Sequence, residues 1–255
     1  MRLRSIVAPI LGIATFFTVW EVLIRVGNVP TFYLRPPSQF VAYLFNSDVH
    51  YLAASLHTGF NALQGLGLAL IIGLGFGAAM SASRWLEDAA YPVLILVQVT
   101  PWVAYSAAVV GWLGGGNPPS RFMATIVCVP AFTFAAVNGL RSTDPSTLEL
   151  LRSVDASRWE TIWRLRLPSA LPNLFIAARF AVGLSLAAVY FTEGGALSNE
   201  GLGVIGRAAY NATNARALWA TVLCAAALGA LALFALGLLE RMVLHWHWSQ
   251  RSQSH

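Results

Sequence analysis

Charged side chains divide the sequence into long uncharged runs. No charged residue falls between His57 and Arg84, between Asp88 and Arg121, between Arg121 and Arg141, or between Arg216 and Glu240. Each run is long enough for a helix of roughly 20 residues to cross the hydrocarbon of a bilayer. A further apolar run extends from about Ile6 to Ile24 and holds one charge, Glu21, while another from about Asn173 to Thr192 is broken only by Arg179. The pattern predicts an all-α, polytopic membrane protein of about six spans, one domain over residues 1–255, with longer loops at about 28–56 and 193–216 and a polar segment at about 142–171.

The first run begins with basic residues, as a secretory signal peptide does, but no small-x-small cleavage pattern follows and the apolar stretch continues into "EVLIRVG", so an uncleaved first span is expected. Glu21 and Arg25 are spaced for a helical ion pair, against the alternative of two separately solvated charges. "GLGFG" (Gly73 to Gly77) has the small-xxx-small spacing of a helix-packing face.

Composition fits this reading: 57% of the residues are hydrophobic and 11% charged, with a mean hydropathy of +0.63. The chain has no lysine, so orientation rests on arginine. With the N-terminus inside, the inner segments hold Arg2, Arg4, Arg84, Arg141, Arg152, Arg158, Arg164, Arg166, Arg241 and Arg251, against Arg25, Arg35, Arg121, Arg207 and Arg216 outside. The excess predicts cytoplasmic N- and C-termini and puts the 142–171 segment in the cytoplasm.

That segment, "RSVDASRWETIWRLRLPSALP" at its centre, departs from its surroundings in gathering Arg152, Arg158, Arg164 and Arg166 with Trp159 and Trp163. Asp144 before Pro145 is a helix start, and Leu148, Leu151 and Val154 carry an apolar face. Asp155 stops this helix. Ser157 and Glu160 form a capping box for a second short helix with Trp159, Ile162, Trp163 and Arg166 along one side, and Pro168 and Pro172 are expected to end it. Such a corner can lie on the inner leaflet, tryptophans among the headgroups, or dock in the groove of another protein. The residues alone leave both open.

Candidate chemistry is sparse. Cys128 and Cys224 fall in different predicted spans and read as buried apolar residues. His245 and His247 alternate with Trp246 and Trp248 beyond the last span, as an interfacial anchor does. "GLGVIG" (Gly201 to Gly206) matches a dinucleotide fingerprint, but no strand precedes it, and its glycines are expected to form a tight turn. "NAT" at Asn211 is a chance-prone glycosylation pattern. No phosphate-binding loop occurs, so this chain is not expected to hydrolyse ATP; no metal, cofactor or nucleic acid is expected on it. An intramembrane enzyme could draw on Ser185 and Tyr190 but has no histidine at their depth. An ATP-independent channel or secondary transporter could use Arg179, Tyr190 and Glu193.

Pro101 frees a backbone carbonyl and bends its helix, which makes Trp102 and Tyr105, with Tyr190, Phe191 and Glu193 at the end of the fifth span, candidates to line a translocation pathway. Packing against lipid or neighbouring helices is the alternative. Aromatic faces would favour a flat or cationic solute over a bare anion. Arg179 and Glu193 lie about 21 Å apart along one helix and cannot pair with each other. Arg179 either snorkels to the interface or pairs with another helix, and Glu193 near the outer end could simply be solvated.

The polar segment resembles permease subunits of binding-protein-dependent ABC importers. Their signature reads Glu-Ala-Ala, three residues, Gly, nine residues, Ile-x-Leu-Pro; here Glu149, Leu150 and Leu151, then Asp155, then Leu165, Arg166, Leu167 and Pro168 stand at that spacing, and "RSVDAS" is similar to the family's "RSLGAS". "LRPPSQF", "HYLAASL", "FTEGGALSNEGLG" and "LLERMVLHWHW" resemble the nitrate, sulfonate, taurine and bicarbonate branch. The resemblance implies a type I importer permease fold in a bacterial inner membrane, working as a pair, expected to be a homodimer. It also implies two ATPase subunits that bind ATP and Mg, and an external solute-binding protein. Coupling to the ATPases would fall on Glu149, Asp155, Ala156, Ser157, Arg158, Trp159, Glu160, Trp163 and Pro168. Asp155 stands where the family has glycine, which aspartate tolerates better than most residues. Leu150 and Leu151 replace alanines, and Trp102, Tyr105 and Trp112 replace commoner aliphatic residues.

Overall fold

In the computed structural model, residues 3–30, 34–195, 198 and 200–244 are described, and among them every regular element is helical. The helices are α1 (Leu3–Val26), α2 (Pro37–Asn46), α3 (Tyr51–Ala82), α4 (Arg84–Val99), α5 (Trp102–Leu113), α6 (Asn117–Arg141), α7 (Pro145–Ser153), α8 (Arg158–Thr161), α9 (Leu167–Gly195), α10 (Leu202–Asn211) and α11 (Ala215–Val243). A π-helical turn, Ile162–Arg166, joins α8 to α9.

The centre is built by α3, α6 and α9. Gly65, Ala69, Gly73 and Gly77 recur every fourth residue along α3, so small residues form one stripe. At Gly73 an added Cβ would lie 2.6 Å from that of Phe132, and at Gly65 and Gly77 it would overlap Ala124 and Ala136. The expected packing face at Gly73 and Gly77 is thus present and longer than the motif, running the length of the α3–α6 contact. Gly139 on α6 meets Ala170 on α9 in the same way. In lipid, where apolar side chains gain nothing by meeting each other, such close approach is what holds helices together.

Five helices are long and apolar enough to span a membrane, or six if the pair α4 and α5 counts as one, bent by 95°. The third span is therefore two helices rather than one. Pro101 forces its predecessor out of the helical region, and Thr100 is extended at φ −68° and ψ 126°. Outside the core, α1 leans its Trp20 on Phe40 of α2 and Trp219 of α11. Of the two readings left open for Glu21 and Arg25, the ion pair is the one found, at 2.6 Å, and Glu21 also accepts from the backbone N–H and hydroxyl of Ser38 at the start of α2. Cys128 is buried and Cys224 half-buried, both free.

Three expectations change. The loops at 28–56 and 193–216 each contain a helix, α2 and α10, and α3 begins at Tyr51 rather than near His57. Pro168 and Pro172 do not end the second short helix, because it runs through the π turn into α9. There the ladder shifts by one residue, Leu167 N–H donating to Ile162 C=O. Pro168 follows this shift directly, so the irregular turn falls where its ring would otherwise meet the carbonyl four residues back. In "GLGVIG" only Gly201 turns the chain, at φ +114°, while Gly203 and Gly206 lie inside α10. The His245 to Trp248 anchor lies outside the described residues.

Candidate functional site

At one end of the bundle the segment between α6 and α9 forms a corner set by local capping. Asp144 accepts hydrogen bonds from the N–H and hydroxyl of Ser146 and the hydroxyl of Thr147, closing the start of α7. The Ser146 hydroxyl, with these other donors, holds the Asp144 carboxyl below its usual range. α7 ends with Asp155 in the left-handed region, φ +52°, and Ala156 N–H donating to Leu151 C=O at 3.0 Å. That six-to-one bond is the Schellman motif, and Asp155 occupies the position where glycine is usual. Ser157 N–H donates to Glu160 at 3.0 Å, and Glu160 N–H to the Ser157 hydroxyl at 3.1 Å, a complete capping box.

The side chains above these caps are exposed although many are apolar. Trp159 is 67% and Trp163 53% exposed, their rings edge to face at 5.5 Å. Leu150 on α7, Val154 just past its end and Ile162 are exposed as well. Glu160 pairs with Arg164 at 3.6 Å. Glu149 is exposed, and Ala156 and Pro168 are half-buried. Arg158 opens α8, its side chain lying outside the described set. The corner thus presents an aromatic and aliphatic face on a frame fixed by three caps.

At the opposite end Glu193 is 1% exposed, so plain solvation, one of the fates left open for it, does not hold. It accepts from Thr58 Oγ1 at 2.7 Å, Asn61 Nδ2 at 3.3 Å and Gly203 N–H at 3.3 Å, with His57 Nδ1 at 3.4 Å. Thr58 in turn accepts from Leu202 N–H at 2.8 Å, and Asn61 Oδ1 from Arg121 Nε at 2.9 Å. One carboxylate therefore ties α3, α9 and the start of α10 together, with α6 one bond away. The sequence hint was the set His57, Thr58 and Asn61, which places polar groups on one helical face at the edge of an apolar run; their partner lies 132 residues on from Asn61 and is not visible in any local pattern. Arg179, for which two fates were open, pairs with Glu240 on α11.

Between α5, α9 and α11 lies a cavity of about 590 Å³, walled by Trp102, Tyr190, Phe191 and small residues of α11, with Thr58 at its edge. Trp102 stands edge-on to Phe191 at 5.6 Å, and Tyr190 shares a 2.9 Å hydrogen bond with Thr221. Of the five pathway candidates, Trp102, Tyr190 and Phe191 meet here. Tyr105 instead packs against the α6–α9 core, and Glu193 is enclosed in its own cluster.

The chain is similar to permeases of known transporters. The formylaminopyrimidine transport permease protein ThiX of Halalkalibacterium halodurans is 27% identical over 246 residues, 95% of this chain and 96% of that one. The taurine transport system permease protein TauC of Escherichia coli is 24% identical over 254 residues, 96% of this chain and 91% of that one. In fold, the chain is similar to one from the methionine ABC transporter MetNI in inward-facing conformations, with a TM-score of 0.67 and 19% identity over 75% of this chain and 95% of that one. The type I importer permease architecture expected from the sequence is the one found. The profile of the family described as binding-protein-dependent transport system inner membrane component matches residues 70–245, and this chain belongs to that family.

Proposed function

We propose that the chain is the permease subunit of an ATP-driven importer, acting as a homodimer in a bacterial inner membrane with both termini inside. Its solute arrives from an external binding protein, and ATP and Mg are bound by two partner ATPase subunits. The observation that carries this reading is the exposed aromatic corner. Trp159 and Trp163 offer large apolar area on a frame whose caps leave it little freedom, the character of an anchor for a groove. The helical run Trp159–Gly195 is 37 residues long, about 55 Å, so a displacement of the corner reaches the Glu193 cluster at the other end through one rod. ATP-driven closure can bias the exchange of inner and outer gates only through such a link.

Replacing Trp159 and Trp163 with alanine together is expected to leave the permease folded and weaken ATPase binding at least tenfold, roughly what losing anchor residues costs. Co-purification of tagged permease with its ATPase reads this out. Full retention of the ATPase and of transport by the double variant would overturn the docking role in favour of a membrane-surface helix.

The cavity at Trp102 and Tyr190 supports a solute class, a planar heteroaromatic compound. Its aromatic walls carry no charged lining residue and their faces repel anions; the relative ThiX is named for a formylaminopyrimidine. In proteoliposomes holding the whole transporter, stimulation of ATPase activity and uptake are expected with a formylaminopyrimidine and not with nitrate, bicarbonate or an alkyl sulfonate. Tyr190→Ala or Trp102→Ala should lower uptake of the heterocycle. Stimulation by the small anions alone, unchanged in both variants, would exclude the aromatic path.

A further inference from the structure

A second concavity lies at the corner end of the molecule, apart from the cavity described above, between α9 and α11. It measures about 450 Å³ and is lined by Arg179, Leu233, Phe234, Gly237, Leu238 and Arg241. The five α11 residues recur at three- and four-residue steps, so they share one face of the helix. Their chemistry is graded along it. Leu233 and Phe234 lie at one end, Gly237 and Leu238 in the middle, and Arg241 at the other, beside Arg179.

That gradient follows the depth of a bilayer. α11 has 29 residues, a length of about 43 Å against about 30 Å of hydrocarbon, so its last turns, with Glu240 and Arg241, stand among the headgroups. Arg179 starts deeper along α9 but pairs with Glu240, which draws its guanidinium to the same level. Below the two guanidinium groups, Phe234 is 67% exposed and Leu233 and Leu238 are more than 40% exposed. Gly237 leaves open space where a side chain would stand, with nothing within 4 Å of an added Cβ. The result is a trough with a cationic mouth and an apolar floor.

We propose that this trough binds an anionic phospholipid of the inner leaflet, its phosphodiester between Arg179 and Arg241 and one acyl chain laid over Gly237 against Phe234. The charge count selects the headgroup. Glu240 offsets one arginine and fixes its direction, and Arg241 forms no ion pair among the described residues, so the mouth carries one net positive charge. A headgroup with a single negative charge, such as phosphatidylglycerol, complements it, whereas a zwitterionic headgroup brings its own cation into the same place. This site rests on the proposed orientation for its leaflet alone and does not depend on the transport reading.

The test uses the purified full-length chain in nanodiscs of phosphatidylcholine with increasing phosphatidylglycerol, with retained lipid counted by native mass spectrometry. Wild type is expected to retain phosphatidylglycerol in preference to phosphatidylcholine. Arg241→Gln should weaken that retention about fivefold, the effect of one basic residue near a lipid phosphate. Gly237→Phe, which fills the floor and leaves both arginines in place, should displace the same lipid, and circular dichroism checks that helicity is unchanged. Equal retention of the two lipids by wild type, or undiminished retention in both variants, would refute the site. Displacement by inorganic phosphate alone would also refute it, because the acyl chain would then contribute nothing. So would conversion of an oligomer to monomers by either variant, which would make the trough a contact between copies of the chain.

Discussion

Glu193 shows how a single side chain can close one end of a membrane bundle. A carboxylate buried in lipid-surrounded protein is tolerable only with donors on every side, and Thr58, Asn61 and the Gly203 N–H supply them. The third donor is reachable because Gly203 lacks a side chain. A Cβ there would overlap the Tyr190 carbonyl and lie 2.8 Å from Glu193 Cβ. Gly203→Ala is therefore expected to lower stability by about 1–3 kcal/mol, the usual cost of overpacking. Glu193→Ala leaves three buried donors without an acceptor, at about 1–3 kcal/mol for each donor that finds no new partner. Glu193→Gln keeps an acceptor oxygen and should fall between Glu193→Ala and wild type. Thermal unfolding in detergent, followed by circular dichroism, ranks the three. If Glu193→Ala matched wild type, the cluster would have no structural role.

Among the elements, those with short-range causes could be read in the sequence. The caps at Asp144, Asp155 and Ser157 with Glu160 each involve residues a few positions apart, and all are present. The charge-free runs located the spans because a bilayer imposes length and polarity directly on composition. Elements whose cause lies elsewhere in the chain escaped. α2 is fixed by Glu21 accepting from Ser38, and α10 by Glu193 and Thr58, none of which a loop composition reveals. Prolines 168 and 172 read as terminators because their rule concerns a regular ladder, and a π turn removes the regularity. The break at Thr100 and Pro101 was visible but its size was not, since 95° depends on what α5 packs against. Of the candidate site, the aromatic corner was legible and the Glu193 cluster was not: the first is one stretch of chain, the second joins residues from four helices.

For the whole molecule, two polar locks bound the apolar core, and they sort the arginines by end. At the corner end Arg141 binds Glu87 at 2.7 and 2.8 Å and the Met80 carbonyl at 3.2 Å, joining the ends of α3 and α6 to the start of α4. Arg121 serves the opposite lock through Asn61. Arg84, Arg141, Arg164 and Arg166 thus gather at the corner end, and the arginine excess predicts that this end faces the cytoplasm. Cysteine labelling in intact spheroplasts with a membrane-impermeant maleimide tests the prediction without any assumption about solute. The native thiols are poor targets, because Cys128 is buried and both cysteines lie within spanning helices. Asp48→Cys, before α3, and Asn211→Cys, at the end of α10, should label from outside; Ser153→Cys, at the end of α7, should label only after permeabilisation. All three positions are exposed, so accessibility reports side rather than burial. The reverse pattern would place the aromatic corner outside the cell, where no ATP-binding partner could meet it, and would reject the coupling role together with the orientation.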